Sequence, residues 1–394
     1  MRSLPHVRFY ATTGTIPKLI RLDQLQDLNE ACAKNSTLAK LRNAYVSHRF
    51  EIVDDSEECT PSLNSVRSLP MTEFPKNKIF EQVTMDSNIA DWRKPITKWY
   101  RLGKSILKSY STGIRAMWNI HRDSKKIIKK YGSPEQLNTN IFRTIEFQEI
   151  EMRLKRAEDI KFPLSRAEFQ ECHRRAEFWK LPSFIVLFII FEEMLPVICY
   201  LAPTIVPWNC LTPGALKKIS DRRAIYTHDY SVSEIPRYQS PYMVKPNDLM
   251  SVLLKCKLIP KWRANIYKWS DNKAKPCEIL TNFHQYLFVD DWLLLRHIMS
   301  DEVTKLSERE LVNAILERQL FKRGEDLNTM VKNKTSQKVL VWRLMIYWAF
   351  RFDGTITASK DALFSEKWGV NNVAILNFPG SAKLLEDKQL KNIQ

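Results

Sequence analysis

The stretch Ser183–Ala202 limits what this chain can become more than any other part of it: twenty residues with two charges among them, Glu192 and Glu193. At about 1.5 Å per helical residue it is long enough to cross the roughly 30 Å hydrocarbon core of a bilayer. The two carboxylates oppose that placement. Each costs about 2.5–3.5 kcal/mol near the bilayer centre, against about 0.3–0.6 kcal/mol gained per Leu, Ile, Phe or Val. Pro196 removes a backbone donor and is expected to kink a helix, with Pro203 and Pro207 spaced behind it. Two readings stay open on the residues alone. One is a kinked transmembrane helix over residues 182–203, and the other is a soluble hairpin broken at Pro196. The expectation carried forward is the first: a mainly α, single-span membrane protein.

Charge and composition narrow the partners. The 394 residues carry a formal net charge of +17 and contain 9 glycines, a balance that favours helix and suggests an anionic partner such as nucleic acid, a ribosome or an anionic membrane surface. The first ten residues, MRSLPHVRFY, hold Arg2 and Arg8 and no acid; the first acid is Asp23. A basic, hydroxyl-rich, acid-poor start reads as a mitochondrial transit peptide over residues 1–10, or somewhat longer. The seven cysteines show no CxxC spacing, so reduced, structural thiols are expected rather than a disulfide framework or a zinc site.

Behind the leader, residues 11–92 read as a variable region, with a Ser-, Pro- and acid-rich linker between Asp54 and Pro75. Residues 93–181 form a basic helical region ahead of the span. There Trp99, Leu102, Ile106, Tyr110, Ile114 and Met117 recur at helical spacing among cations that include Lys104, Lys108 and Arg115, and Asp123 is the lone acid of residues 93–130. Such a face can lie on an anionic bilayer or pack its apolar side on the protein. Beyond the span, residues 204–394 are expected to be helical. The segments include 248–258, 278–288 and 290–300, a helix capped by Ser307 with Glu310, and an apolar core helix from Val339 to Phe352.

No GxxxxGK[ST], HExxH, GxSxG or GxGxxG occurs, so no catalytic residues, no metal and no cofactor are assigned, and the chain is not expected to be an enzyme.

The order LSRAE (164–168), Arg174, KLPSF (180–184), FEEMLP (191–196) and then Pro203 and Pro207 resembles the LETM-domain proteins of the mitochondrial inner membrane. Asp290-Asp291-Trp292 and LSERELVNAILERQL, ending in Arg318-Gln319 where the family has Arg-Gly, extend the resemblance. It marks the chain as a short, divergent, fungal member and implies one span with its C-terminal region in the matrix. It also implies a part in potassium–proton exchange, with Glu192 and Glu193 as proton- or cation-linked groups. One span cannot enclose a pathway, so a homo-oligomer or membrane complex is implied. The alternative is a membrane-bound receptor for the mitochondrial ribosome that aids insertion or assembly of newly made proteins. In it, Lys104, Lys108, Arg115, Lys217, Lys218, Arg222 and Arg223 meet RNA or anionic lipid. No DNA partner is expected.

Overall fold

The computed structural model describes residues 20–21, 36–55, 57–153, 164–191, 194–229, 246–270, 273–300, 302–352 and 356–357. In chain order the elements are β1 (Ile20–Arg21), α1 (Ser36–Val46), β2 (Phe50–Val53), α2 (Lys76–Met85), α3 (Lys94–Tyr131), α4 (Pro134–Arg153), α5 (Arg166–Arg174), α6 (Leu181–Ile190) and α7 (Leu195–Leu201). They continue with α8 (Pro213–Asp229), α9 (Pro246–Lys255), α10 (Lys261–Trp269), α11 (Ala274–Met299), β3 (Thr304–Ser307), α12 (Glu308–Glu317), α13 (Leu327–Lys332), α14 (Lys334–Phe352) and β4 (Ile356–Thr357). The mainly helical expectation holds. The leader and the acidic pair Glu192-Glu193 lie outside the described residues.

Two helices organise the core. α14 is buried on all sides, from Val339 through Ala349, as befits a helix apolar around its whole circumference. Its buried cation Arg343 is held by both carboxylate oxygens of Glu325 at 2.6 and 2.7 Å. α11 runs 26 residues and threads three apolar clusters. Cys277 and Leu280 pack with α9 and α10, Tyr286 to Leu293 with α4 and α5, and Leu294 and Ile298 join the main core around α14.

The basic stretch resolves into α3, 38 residues long, with Pro95 in its first turn and Gly132, at φ +90°, ending it. Leu102, Tyr110, Gly113, Met117 and Ile120 face the protein, while Lys104, Lys108 and Arg115 point to solvent. Of the two readings of this segment, the protein-packed one is realised. Gly113 is required by proximity: a Cβ there would stand 2.5 Å from Cys210 Sγ.

The Asp54–Pro75 segment, expected to be a loop or linker, runs as a loop held against the core. Leu63, Ser65, Ser68 and Leu69 are buried, and Arg67 forks onto Glu171 with two contacts of 2.6 Å. Asn64 brackets β3, its Nδ2 donating to Lys305 O and its Oδ1 accepting from Ser307 N, each at 2.8 Å. β2 and β3 pair in parallel from Phe50↔Thr304 to Val53↔Ser307, and β1 pairs in parallel with β4.

The single transmembrane span is overturned: no helix among the described residues is long and apolar enough to cross a membrane. The apolar run is divided into α6, 10 residues, and α7, 7 residues, because Phe191 leaves helical geometry at φ −115°, ψ 24°. At about 1.5 Å per residue, neither piece reaches halfway through a hydrocarbon core plus its interfaces. Pro196 does not kink a continuous helix. It lies in the first turn of α7, where a missing N–H costs nothing. Pro203 and Pro207, both buried, lie in the turn beyond α7 that leads the chain back toward α8.

Among the described residues, three helices end with a non-glycine residue in the left-handed region: His48 (φ 58°), Lys257 (φ 54°) and Gln319 (φ 57°). Each is followed by a residue whose N–H reaches back five positions, such as Leu258 N to Leu253 O at 2.9 Å and Leu320 N to Ile315 O at 3.0 Å. These are Schellman closures made with few glycines to spare.

Candidate functional site

Two features stand out: a sealed ionic cluster, and an exposed apolar surface with cations around it. The cluster comes from α5, α11 and α12. Ser165 caps α5 through a full capping box with Glu168, which sets Arg166 and Arg174 on the inward face. Arg166 meets Asp290 at 2.7 Å, Glu310 at 2.9 Å and Leu63 O at 2.6 Å. Arg318 meets Asp290 at 2.6 Å and Asp291 at 2.7 Å. Asp291 also accepts from Trp348 Nε1 at 2.8 Å and from the Tyr347 hydroxyl at 3.2 Å. Arg174 pairs with Glu317, and the Tyr286 hydroxyl lies 3.0 Å from both Glu317 and Gln170.

Burial works to raise the pKa of Asp290, but the Arg166 and Arg318 guanidiniums overcome it and hold the group at about 2. Glu310 is lifted above its ordinary value, burial outweighing the pull of Arg166. His173 stacks on Tyr286 with ring centroids 3.6 Å apart, and burial, with Arg174 beside it, pushes its pKa down to about 3. The side chains of Arg166, Asp290, Asp291 and Arg318 expose no surface to water. A cluster this enclosed offers no substrate a way in, and its chemistry is cohesion between three helices.

The exposed surface is what became of the apolar run. One stripe of α6 and α7 (Leu181, Phe184, Leu195 and Cys199) is buried in the protein. The opposite stripe is open to the outside. Ile189 is 72% and Ile190 65% exposed, and Val186, Phe191, Met194, Val197, Tyr200, Leu201 and Ile205 continue it. A contiguous apolar surface of this kind marks an interaction site. Trp179 precedes α6 and is 80% exposed.

Cations adjoin both ends of the α6–α7 unit. At the far end Lys218 donates to Tyr200 O at 3.1 Å and sits 4.8 Å from the Tyr200 ring, closing the C-terminus of α7. At the near end Lys180, Arg222 and Arg223 all act electrostatically on Lys257.

Of the cations expected to meet RNA or lipid, Lys104, Lys108 and Arg115 are gathered on the outer face of α3. Lys217 is exposed, 3.7 Å from Asp326, and Lys218 is engaged by α7. Arg222 and Arg223 border a cavity with Lys257 and Lys261. Lys257 and Lys261 were not singled out in the sequence, although Lys255, Lys257, Lys261 and Arg263 make an acid-free basic stretch that offered the signal. No group of residues able to hold a metal ion occurs among the described residues, and the six described cysteines are free.

A family model described as the pentamidine resistance factor domain matches residues 63–299, more than half of the chain. A known protein of Saccharomyces cerevisiae (strain ATCC 204508 / S288c), "Pentamidine resistance factor, mitochondrial", is 36% identical over 412 residues, covering 95% of this chain and 97% of that protein. No solved structure matches. The LETM resemblance is thereby corrected, since the matching family is a different one and no LETM-domain match accompanies it. Its motifs mark something else in this fold. Arg166, Arg174, Asp290, Asp291, Glu310 and Arg318 are members of the sealed cluster, and FEEMLP spans the break between α6 and α7. Short acid–Pro and Arg–acid motifs arise wherever a helix is broken or a buried charge is matched, whatever the family. With that relative mitochondrial, so is this chain.

Proposed function

This chain belongs to the pentamidine resistance factor family, and we propose that it is a factor bound to the mitochondrial inner membrane from the matrix side, supporting the insertion or assembly of newly made membrane proteins. The observation that carries this reading is the open stripe of α6 and α7, with Lys218 at the end of α7 and Lys180 directly ahead of α6. An apolar surface edged by cations suits the boundary between headgroups and acyl chains of an anionic bilayer. Trp179 is suited to the same depth, its ring amphipathic. The protein lies on the membrane in this reading and does not cross it.

The outer face of α3 supports the second part of the proposal. Lys104, Lys108 and Arg115 are directed away from the core and suit the phosphates of ribosomal RNA, a contact that weakens steeply with salt. Potassium–proton exchange is set aside. It relied on the LETM resemblance and on carboxylates inside a span, and the homo-oligomer was needed only to surround that span.

The test uses mitochondria whose copy carries Ile189→Asp and Val197→Asp. Translation products made inside the organelle are pulse-labelled and extracted with carbonate. The proposal expects the variant protein to leave the membrane fraction before any carbonate wash, where the wild type stays bound, and labelled products to remain carbonate-extractable that are membrane-integrated in the wild type. Normal integration of the products by mitochondria lacking the protein altogether would refute the role.

A further inference from the structure

Between α8 and the turn joining α9 to α10 lies a cavity of about 530 Å³, within the size range of small-ligand sites. Its rim carries Arg222, Arg223, Lys257 and Lys261, its apolar wall includes Leu254 and Leu258, and no acid occurs among its described lining residues. We propose that this cavity is a phosphate-binding site, whose ligand is the phosphate of an anionic phospholipid headgroup or of a soluble phosphomonoester. The headgroup source rests on the membrane-surface reading above; the soluble source does not.

Three observations support it. First, the cations crowd one another without a carboxylate among them. Burial and then Arg223, Arg222 and Lys180 together push the Lys257 amine below its ordinary pKa. Second, the Arg223 guanidinium is partly withdrawn from water. Its Nε is buried without an acceptor among the described residues, and its best-placed Nη donates only at 3.5 Å, to Leu316 O. The acid acting on it from a distance, Glu317, is already paired with Arg174. A guanidinium fork with donors to spare is the group that recognises phosphate oxygens. Third, the cavity is amphipathic, as a headgroup with the first carbons of its chains requires. Lys180, just ahead of the exposed apolar stripe, contributes to the same positive potential.

The left-handed closure of α9 provides a discriminating variant. Lys257 ends α9 at φ 54°, so Lys257→Gly removes the amine and relieves the backbone strain together. Binding and folding then move in opposite directions, which a purely structural lysine does not allow.

The full chain is titrated with glycerol 1-phosphate by calorimetry, and separately floated with vesicles of phosphatidylcholine alone or with cardiolipin. Each charge removed from the rim, by Lys257→Gly or Lys261→Gln, is expected to weaken phosphate binding about fivefold, the loss typical of one lysine near an anionic surface. The pair Lys104→Gln and Lys108→Gln, which removes twice the charge of either rim variant from α3, leaves it unchanged. Rim-dependent binding of glycerol phosphate without rim-dependent flotation identifies a soluble ligand, and the reverse identifies the headgroup. The membrane-surface reading fails separately, if Ile189→Asp with Val197→Asp floats like the wild type. The phosphate site is overturned if neither ligand distinguishes the rim variants from the α3 pair, or if the wild type binds neither.

Discussion

Arg166 makes charge-assisted contacts with Asp290, Glu310 and Leu63 O and exposes no surface, so its removal leaves Asp290 and Glu310 buried without their shared cation. Taking one partner from a buried pair costs about 3–5 kcal/mol. Arg166→Met or Arg318→Met is expected to lower stability in urea by an amount of that order; a loss under about 1 kcal/mol would mean that water reaches the cluster. His173 gives the cluster a pH signature. Its pKa falls from the ordinary 6.5 to about 3 in the folded protein. The unfolded chain therefore takes up a proton that the folded one refuses. Stability is full above about pH 6.5 and is lost progressively as pH falls toward 3. His173→Phe keeps a ring stacked on Tyr286 and is expected to flatten that part of the urea-midpoint profile; an unchanged slope would assign it to other groups. Asp290 adds a loss at still lower pH, as the medium falls through its ordinary carboxylate range toward about 2. Gly113→Ala drives a methyl against Cys210 and is expected to cost about 1–3 kcal/mol, measured the same way.

Helices α6 and α7 turn one apolar run into two kinds of surface. Phe184 is fully buried and Ile189 largely open. Phe184→Ala should destabilise by about 3–5 kcal/mol, and Ile189→Ser by less than about 0.5 kcal/mol while weakening adhesion to cardiolipin vesicles. Equal destabilisation by the two would deny that the stripe is free. Much at this level was legible beforehand: the period of α3, the cap of α12, and the apolar density of α14 all follow from local pattern. Two boundaries were not. α11 was expected as two segments, 278–288 and 290–300, yet Arg166 and Arg318 neutralise Asp290 and Asp291 and one helix runs from Ala274 to Met299. Glu310 looked like the return half of a capping box. Ser307 does accept from Glu310 N at 3.3 Å, but the carboxylate turns to Arg166 and Ser65 N instead. Both misses involve Arg166, which lies more than a hundred residues from Asp290 and Glu310 in sequence. Hydropathy could not divide Ser183–Ala202 either, since an apolar stripe facing a protein core and one facing outward have the same composition.

The whole molecule depends on its C-terminal third. The region matching the family ends at residue 299, while Glu310, Glu317 and Arg318 belong to the next helix. A fragment of residues 63–299 would strand Arg166, Asp290 and Asp291 and lose the α14 core. It is expected to lack a cooperative thermal transition and near-ultraviolet ellipticity, whereas the intact chain has both. A sharp transition in the fragment would show that the cluster is dispensable.

The parallel pairing of Phe50–Val53 with Thr304–Ser307 also sets a timetable. A polypeptide that enters an organelle as a thread, leading end first, delivers one strand of this ladder some 250 residues before the other. Until the later strand arrives the earlier one has an open edge and its neighbours an uncovered greasy side. An escort that shields such edges must therefore stay on the incoming chain almost to the end of its passage.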